Sequence, residues 1–471
     1  MSLGRFLEKH LYLNSLLLEL SLFVILTYSK GTIVLKGGIP TPYGQWDQRI
    51  KAYRAPGYCY RDIIRYLKRS KISFKDQVLN PPPAPSFNGG IALYPFQKEA
   101  FERWVKNDGW GILSIATAGG KTFIGLKAIE VLKQSTLVIV PTLTLVDQWV
   151  ERLKEKLGVK AGVIGGGRHE VEWVTVSTYD SAYIHAEELG NKFGLLIADE
   201  VHHLFAPGYS QIAEILVAPY RMGLTSTLYR ADMRHLDAPR LIGGVVYEAS
   251  HEQLTGTYVA SYEYKKVFVD LMPKEKVEYE KLWSIYKNYI TKRNIQMRSE
   301  EDFRKLIMLS AFDPEAREAI LARNKALKIA LNSEAKMRFL ADVLKESREK
   351  TLIFTLHNSL VYKISKHFLI PAITYKTPES ERKLILSKFS TGKYRAIVTS
   401  QVLDEGVDVP DASRGIILSG TGSPRQYVQR LGRLLRRGEG KVALLIEVVS
   451  RETKETEMSL RRKKKVKGVR E

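Results

Sequence analysis

A single cysteine, Cys59, stands in 471 residues. It excludes an internal disulfide and any cysteine-rich zinc or iron–sulfur site, and it is compatible with a reducing, cytoplasmic setting. Long apolar runs are equally scarce. The one worth testing, Leu11 to Tyr28, carries Asn14 and Glu19 and is interrupted by Ser15 and Ser21. A spanning helix needs roughly 20 mostly apolar residues, and a charge near its centre costs ~2.5–3.5 kcal/mol. Arg5 and Lys9 supply the basic start of an export signal, but Tyr28-Ser-Lys-Gly31 offers no small-residue cleavage site. The stretch therefore reads as a buried element or an extension, and no membrane association is expected. Acidic residues are also in deficit. Lys plus Arg number 73 against 51 for Asp plus Glu, a formal net charge of +22. Such an excess suits a polyanionic partner such as nucleic acid.

At this length the chain exceeds one compact core. From about residue 25 the pattern ILTYSKGTIVLKG predicts two short strands around Lys30-Gly31. Tyr60, Ile63, Ile64 and Leu67 then follow at helical spacing. Asn80-Pro-Pro-Pro-Ala-Pro85 is a stiff linker and the clearest boundary by composition. Beyond it helices alternate with apolar β-branched runs at 136–141, 174–178, 195–199 and 221–227, as in an open parallel sheet covered on both faces. Residues 261–335 break the alternation and are dense in Lys, Arg and Tyr at helical spacing. It resumes at 351–356, 396–400, 415–420 and 443–449. The expected division is 1–80, a small mixed α/β domain; 81–90, a linker; 91–255, an α/β lobe; 256–335, a helical insert; and 336–471, a second α/β lobe. The tail from Arg461 has seven basic residues and one acidic residue, a solvated run suited to loose backbone contact with nucleic acid.

Ser114-Ile-Ala-Thr-Ala-Gly-Gly-Lys-Thr122 follows an apolar strand and opens a helix. Ile115 replaces the first glycine of the usual phosphate loop, but the end that meets phosphates is intact. Thr117, Gly119, Gly120, Lys121 and Thr122 are the candidate nucleotide-binding residues. Their backbone N–H groups and the helix N-terminus would face the anion, with Lys121 on the outer phosphates and Thr122 on Mg²⁺. Asp199-Glu-Val-His-His203 closes the strand at 195–199. Asp199 would hold Mg²⁺ and Glu200 would orient and deprotonate the attacking water. His202 and His203, taken as a strand end, would point apart and offer no metal site. Gln429-Arg-Leu-Gly-Arg-Leu-Leu-Arg436 places Arg433 and Arg436 on one helical face, suited to charge developing on a transferring phosphoryl group. In the insert, Lys265, Lys266, Lys287, Lys292, Arg293 and Arg304 alternate with Tyr279, Trp283, Tyr286 and Tyr289. These aromatics either stack on bases or fill a helical hairpin, and the second reading is preferred.

The ordered set resembles helicase superfamily two. It runs through Tyr94-Pro-Phe-Gln97, the Gly-Lys-Thr loop, Val140-Pro-Thr-Leu-Thr-Leu-Val-Asp-Gln-Trp149 and Ser177-Thr-Tyr179. It continues through Asp-Glu-Val-His, Gly223-Leu-Thr-Ser-Thr227, Ser400-Gln-Val-Leu-Asp-Glu-Gly-Val-Asp408 and the arginine helix. More narrowly, the chain resembles the XPB helicases of nucleotide excision repair in their short archaeal form. The segment Trp46–Ile63 is similar to their damage-recognition domain and the insert to their thumb. The family carries Arg-Glu-Asp where this sequence has Arg230-Ala-Asp232. The resemblance implies two RecA-like lobes and ATP hydrolysis with Mg²⁺. It also implies 3′ to 5′ movement on forked or partly single-stranded DNA and a Bax-type nuclease or other repair factor as partner. Residue by residue, it assigns Gln97 to adenine and Thr225 and Thr227 to coupling. Asp404, Gly406 and Asp408 would link nucleotide to strand, Arg433 and Arg436 would act at the γ-phosphate, and Pro141, Thr142, Gln148, Arg230 and Asp232 would lie along nucleic acid. An RNA-directed ATPase of the same superfamily, and a nucleotide-gated DNA scaffold that hardly unwinds, remain as alternatives.

Overall fold

The computed structural model describes residues 23–116, 119–226, 228, 232–254, 262–297, 300–346, 349–400, 412–420 and 443–464. The chain divides into two compact units between Ser250 and His251. Among the described residues no helix is long and apolar enough to cross a membrane. Most of the Leu11–Tyr28 run lies outside them, and its end enters the first strand.

The first unit opens with a five-stranded sheet: β1 (Phe23–Ser29), β2 (Thr32–Lys36), β3 (Gln45–Asp47), β4 (Ala52–Pro56) and β5 (Ser73–Gln77), in the order β3-β4-β2-β1-β5. Lys30 and Gly31 make the expected turn, both at positive φ. The helix Tyr60–Arg69 buries Tyr60, Ile63 and Leu67 against Val24, Leu26, Ile33 and Leu35. That core is closed by Val217, a residue from beyond the proline segment.

The proline segment runs between the N-terminal sheet and the following lobe, within the first compact unit. Its backbone is tied to the following lobe, with Asn80 N donating to Asn191 O (2.8 Å) and Asn88 N to Leu157 O (2.9 Å).

The lobe that follows holds eight strands: β6 (Trp110–Ile115), β7 (Thr136–Val140), β8 (Gly162–Gly165), β9 (Arg168–His169), β10 (Val174–Thr178), β11 (Leu195–Asp199), β12 (Tyr220–Thr225) and β13 (Val245–Ala249). Their order is β13-β6-β12-β11-β7-β10-β8-β9, parallel except for the β8–β9 hairpin. Strands β7, β10 and β11 are buried at every position, which explains why they read as unbroken apolar runs.

The second unit is a six-stranded parallel sheet: β14 (Tyr262–Val269), β15 (Thr351–Phe354), β16 (Ala372–Ile373), β17 (Ala396–Thr399), β18 (Arg414–Ile417) and β19 (Ala443–Ser450), ordered β14-β19-β18-β15-β17-β16. Here one expectation fails. Residues 262–269 are not the start of a helical insert but an edge strand in register with β19 from Tyr262↔Ala443 to Val269↔Ser450. The insert proper is helical: Pro273–Lys292, Glu300–Leu309 and Pro314–Leu331. The last helix presents Ala316, Ala319, Ala322, Ala326 and Ala330, all buried, and this small-residue face accepts the aromatic face of the first. Tyr279, Tyr286 and Tyr289 are 5–6% exposed. They are packing residues, not a surface for stacked bases.

Candidate nucleotide site

Three motifs converge because three strands end together. β12 lies between β6 and β11, so the phosphate loop, the Asp-Glu pair and the Gly-Leu-Thr segment all leave the carboxyl edge of the same sheet region. That edge is where open α/β sheets bind ligands.

The loop turns into the helix Lys121–Leu132 at Gly120, which holds φ +68°. A side chain there would be strained, and its Cβ would lie 2.6 Å from Gln97 Nε2. Gln97 is 2% exposed. Its Nε2 donates to Gly119 O (2.9 Å) and Gly120 O (3.4 Å), while its Oε1 accepts from Tyr94 N (2.9 Å). In this structure Gln97 braces the loop backbone. Lys121 Nζ donates to Ile115 O (3.2 Å), and Thr122 Oγ1 accepts from Arg152 Nη1 (2.9 Å). Burial pulls the Arg152 guanidinium below its ordinary value, against the opposing pull of Asp199.

Asp199 is 6% exposed and well held. Its Oδ2 accepts from Trp149 Nε1 (3.0 Å) and its Oδ1 from Glu200 N (3.0 Å), while Tyr179 OH donates to its carbonyl (2.9 Å). Trp149 and Tyr179 thus carry two other motifs directly to the acidic pair. Glu200 holds the left-handed region at φ +48°. A non-glycine residue stays there only when its surroundings over-determine it. Here Glu200 Oε2 accepts from Thr225 Oγ1 (3.4 Å), and His202 Nδ1 lies 3.3 Å from Thr225 Oγ1 and 3.5 Å from Glu200 Oε2.

The histidine pair corrects the sequence reading. His202 and His203 lie on the short 3₁₀ turn Val201–Phe205, not on a strand, and their rings sit 4.3 Å apart. They do not point apart. His202 is fully buried and joins the acidic pair to the end of β12, a role the sequence reading missed. Arg152 was missed as well, although it falls one helical turn after Gln148 on the helix Leu143–Leu157.

Thr142 accepts from Leu145 N (3.4 Å) and so caps that helix. Pro141, Thr142 and Gln148 are all partly exposed, and Asp232 is exposed with Oδ1 accepting from Arg234 N (3.3 Å). Thr117, Thr227, Arg230, Asp404, Gly406, Asp408, Arg433 and Arg436 lie outside the described residues.

Residues 26–78 match the model of the xeroderma pigmentosum group B helicase damage recognition domain. Residues 90–230 match the type III restriction enzyme res subunit, and 335–438 the helicase conserved C-terminal domain. The helicase domain of Hef from Pyrococcus furiosus superposes with TM-score 0.52 at 18% identity, covering 78% of this chain and 97% of that one. Fold and domain content together define a superfamily-two helicase with two RecA-like lobes.

The DNA 3'-5' translocase XPB2 of Sulfurisphaera tokodaii is 44% identical over 441 residues, 93% of this chain and 100% of that protein. The DNA 3'-5' helicase XPB of Kineococcus radiotolerans is 29% identical, over 80% of this chain and 63% of its own length. The factor IIH helicase/translocase subunit XPB of Schizosaccharomyces pombe is 25% identical, over 85% of this chain and 48% of its own. The chain belongs to the XPB family of helicases.

Proposed function

We propose that this chain is an ATP-driven DNA translocase of 3′ to 5′ polarity that opens forked or partly single-stranded DNA during nucleotide excision repair. The observation that carries the reading is the shared carboxyl edge bearing Lys121, Asp199–Glu200 and Thr225 in a chain of this family. The net charge of +22 supports a polyanionic track.

The donor set fits a magnesium nucleotide. Thr122 and Asp199 offer hard oxygen ligands, and Gly120 leaves the loop backbone open to phosphate. Mg²⁺, when bound, would neutralise phosphate charge. Lys121 would bind the outer phosphates, and Glu200 would orient a water and accept its proton. His202 and Thr225 would report the state of Glu200 to the end of β12 and so to the rest of the lobe. From the second lobe, Asp404, Gly406 and Asp408 would link nucleotide to strand, and Arg433 and Arg436 would act at the γ-phosphate. Pro141, Thr142, Gln148, Arg230 and Asp232 would lie along the DNA. A cytoplasmic, nucleoid-associated setting and a Bax-type nuclease partner belong to this reading by family resemblance alone. Arg230-Ala-Asp232 favours a second reading, a clamp that hydrolyses ATP on DNA but separates strands weakly.

The test is ATP turnover with and without forked DNA, alongside strand displacement from either end. Arg436→Ala should leave ATP binding nearly intact and lower DNA-stimulated turnover by ~10³-fold or more, the scale of an arginine finger. Undiminished stimulated turnover removes the arginine from the mechanism. Stimulated turnover in the native chain without displacement selects the clamp.

A further inference from the structure

We propose that His169, His185 and Glu188 form a zinc-class metal site on the edge of the first lobe, remote from the nucleotide. His169 belongs to β9, the outermost strand of the eight, whereas the phosphate loop follows β6. His185 joins the helix Tyr179–Ile184 to the helix Ala186–Leu189, which carries Glu188. No sequence motif links the three. The fold brings them together.

The geometry is that of ligands around a small cation. Glu188 Oε2 lies 3.2 Å from His169 Nε2 and 3.5 Å from His185 Nδ1. A tetrahedral ion with bonds of ~2.0–2.1 Å spaces its ligand atoms by ~3.4 Å. Two of the three edges are therefore near that length already, and one ligand atom from each residue lies within 4.8 Å of the others. The two imidazole rings are 4.4 Å apart between centroids. Both carboxylate oxygens reach His169 Nε2, Oε2 at 3.2 Å and Oε1 at 3.3 Å, and Oε1 also accepts from Lys192 Nζ (3.2 Å). Lys192 thus holds the carboxylate facing the two imidazoles, as outer-shell partners do.

The donor types choose the metal. Two imidazoles and one carboxylate suit Zn²⁺ and its first-row neighbours, whereas Mg²⁺ and Ca²⁺ want oxygen throughout. All three side chains are 36–43% exposed, so water can reach a fourth position. Cys59 is buried and offers no competing thiolate.

The site also stands at a junction. Tyr28 OH donates to Glu187 O (3.3 Å), Val217 N to Gly190 O (2.8 Å) and Asn191 Nδ2 to Val78 O (2.9 Å). The short helix that holds Glu188, with Gly190 and Asn191 after it, is thus part of the seat of the N-terminal domain. A metal there ties the β8–β9 hairpin to that seat and stiffens it.

Full-length protein, stripped with chelator and freed of nucleotide, is titrated with Zn²⁺ by calorimetry and with Co²⁺ by visible absorption. One equivalent of Zn²⁺ binds, Co²⁺ gives the intense band of a tetrahedral site, and amide protection of residues 24–36 rises with metal. His169→Ala and His185→Ala each lower Zn²⁺ affinity by about tenfold or more. Glu188→Gln, which keeps the shape, does the same, so the test survives if an alanine variant misfolds. Metal-free melting curves establish that the variants are folded. If the native chain binds no stoichiometric Zn²⁺, if folded variants bind like it, or if Co²⁺ gives only the weak octahedral band, the three residues are a surface ion-pair cluster and the proposal fails.

Discussion

The two accessory segments are fastened to their lobes in opposite ways. The N-terminal domain has a sheet and core of its own, and its attachment is peripheral. It includes hydrogen bonds around Glu187 and Asn191, the packing of Val217, the close approach of Gly57 to Ile215, Arg61 over the Trp110 ring, and ion pairs from Arg61 and Arg65 to Asp108. The helical insert has no independent root. Its leading strand β14 is part of the lobe's sheet, Tyr279 OH accepts from Lys454 N (2.9 Å), and Ala330 O accepts from Ser450 Oγ (2.6 Å). Beside that root Lys336 Nζ, fully buried, donates to both oxygens of Glu455 (2.7 Å each) and to Leu418 O (2.6 Å). A peripheral seat can loosen while its lobe stays folded. A root shared with the sheet cannot.

The largest expected effect comes from breaking the buried root. Lys336→Ala removes both lysine hydrogen bonds and the compensating charge from the buried Glu455 carboxylate, which Ser450 N (2.9 Å) still contacts. Removing one partner of a buried pair costs ~3–5 kcal/mol. Denaturant unfolding should show the transition of the second unit lowered by that amount, with the first unit's unmoved. A cost below about 1 kcal/mol would place the pair among hydrated surface bridges and erase the contrast.

Gly57→Ala sharpens the other side of it. A Cβ at residue 57 would sit 2.0 Å from Ile215 O, a backbone atom that cannot rotate away. Overpacking of this kind costs ~1–3 kcal/mol. It should appear as faster proteolysis across residues 78–90 with ATP turnover preserved. Equal loss of lobe and domain, read as one coincident melting transition, would mean that the seat is as integral as the insert's root.

What could be read from the sequence follows the same division between local and assembled features. β7, β10 and β11 were legible because strands buried on both faces need apolar residues at every position. The phosphate loop and the Asp-Glu pair were legible because each is a continuous string at the end of such a strand. β14 was not, since a strand at a sheet edge need not be apolar throughout, and Glu263, Lys265 and Lys266 read as the start of a charged helical run. His202 was misread because direction on a 3₁₀ turn differs from direction on a strand. The contact of Arg152 with Thr122, and the meeting of His169 with His185 and Glu188, depend on which elements pack together, which no local pattern encodes.

The smallest expected effect isolates one hydrogen bond of the seat. Burial pushes the Tyr28 phenol up to about 12 from its ordinary 10.0, aided by the nearby Glu187 and opposed by the Gly31 backbone. The folded state thus favours the neutral phenol. Its contribution is complete below pH 10.0, where the unfolded phenol is also neutral, and is lost as pH rises through about 12. Tyr28→Phe removes the bond to the Glu187 carbonyl, a loss of about 0.5–1.5 kcal/mol in the neutral range. It also removes the titration. The melting temperature of the native chain should therefore exceed that of the variant at neutral pH, and the gap should close across this alkaline window. Tyr60, also pushed up by burial, is common to both proteins and cancels in the difference. A gap that stays constant through pH 12 would mean that water reaches Tyr28 as freely as in the unfolded chain, and the seat would then be looser than its hydrogen bonds indicate.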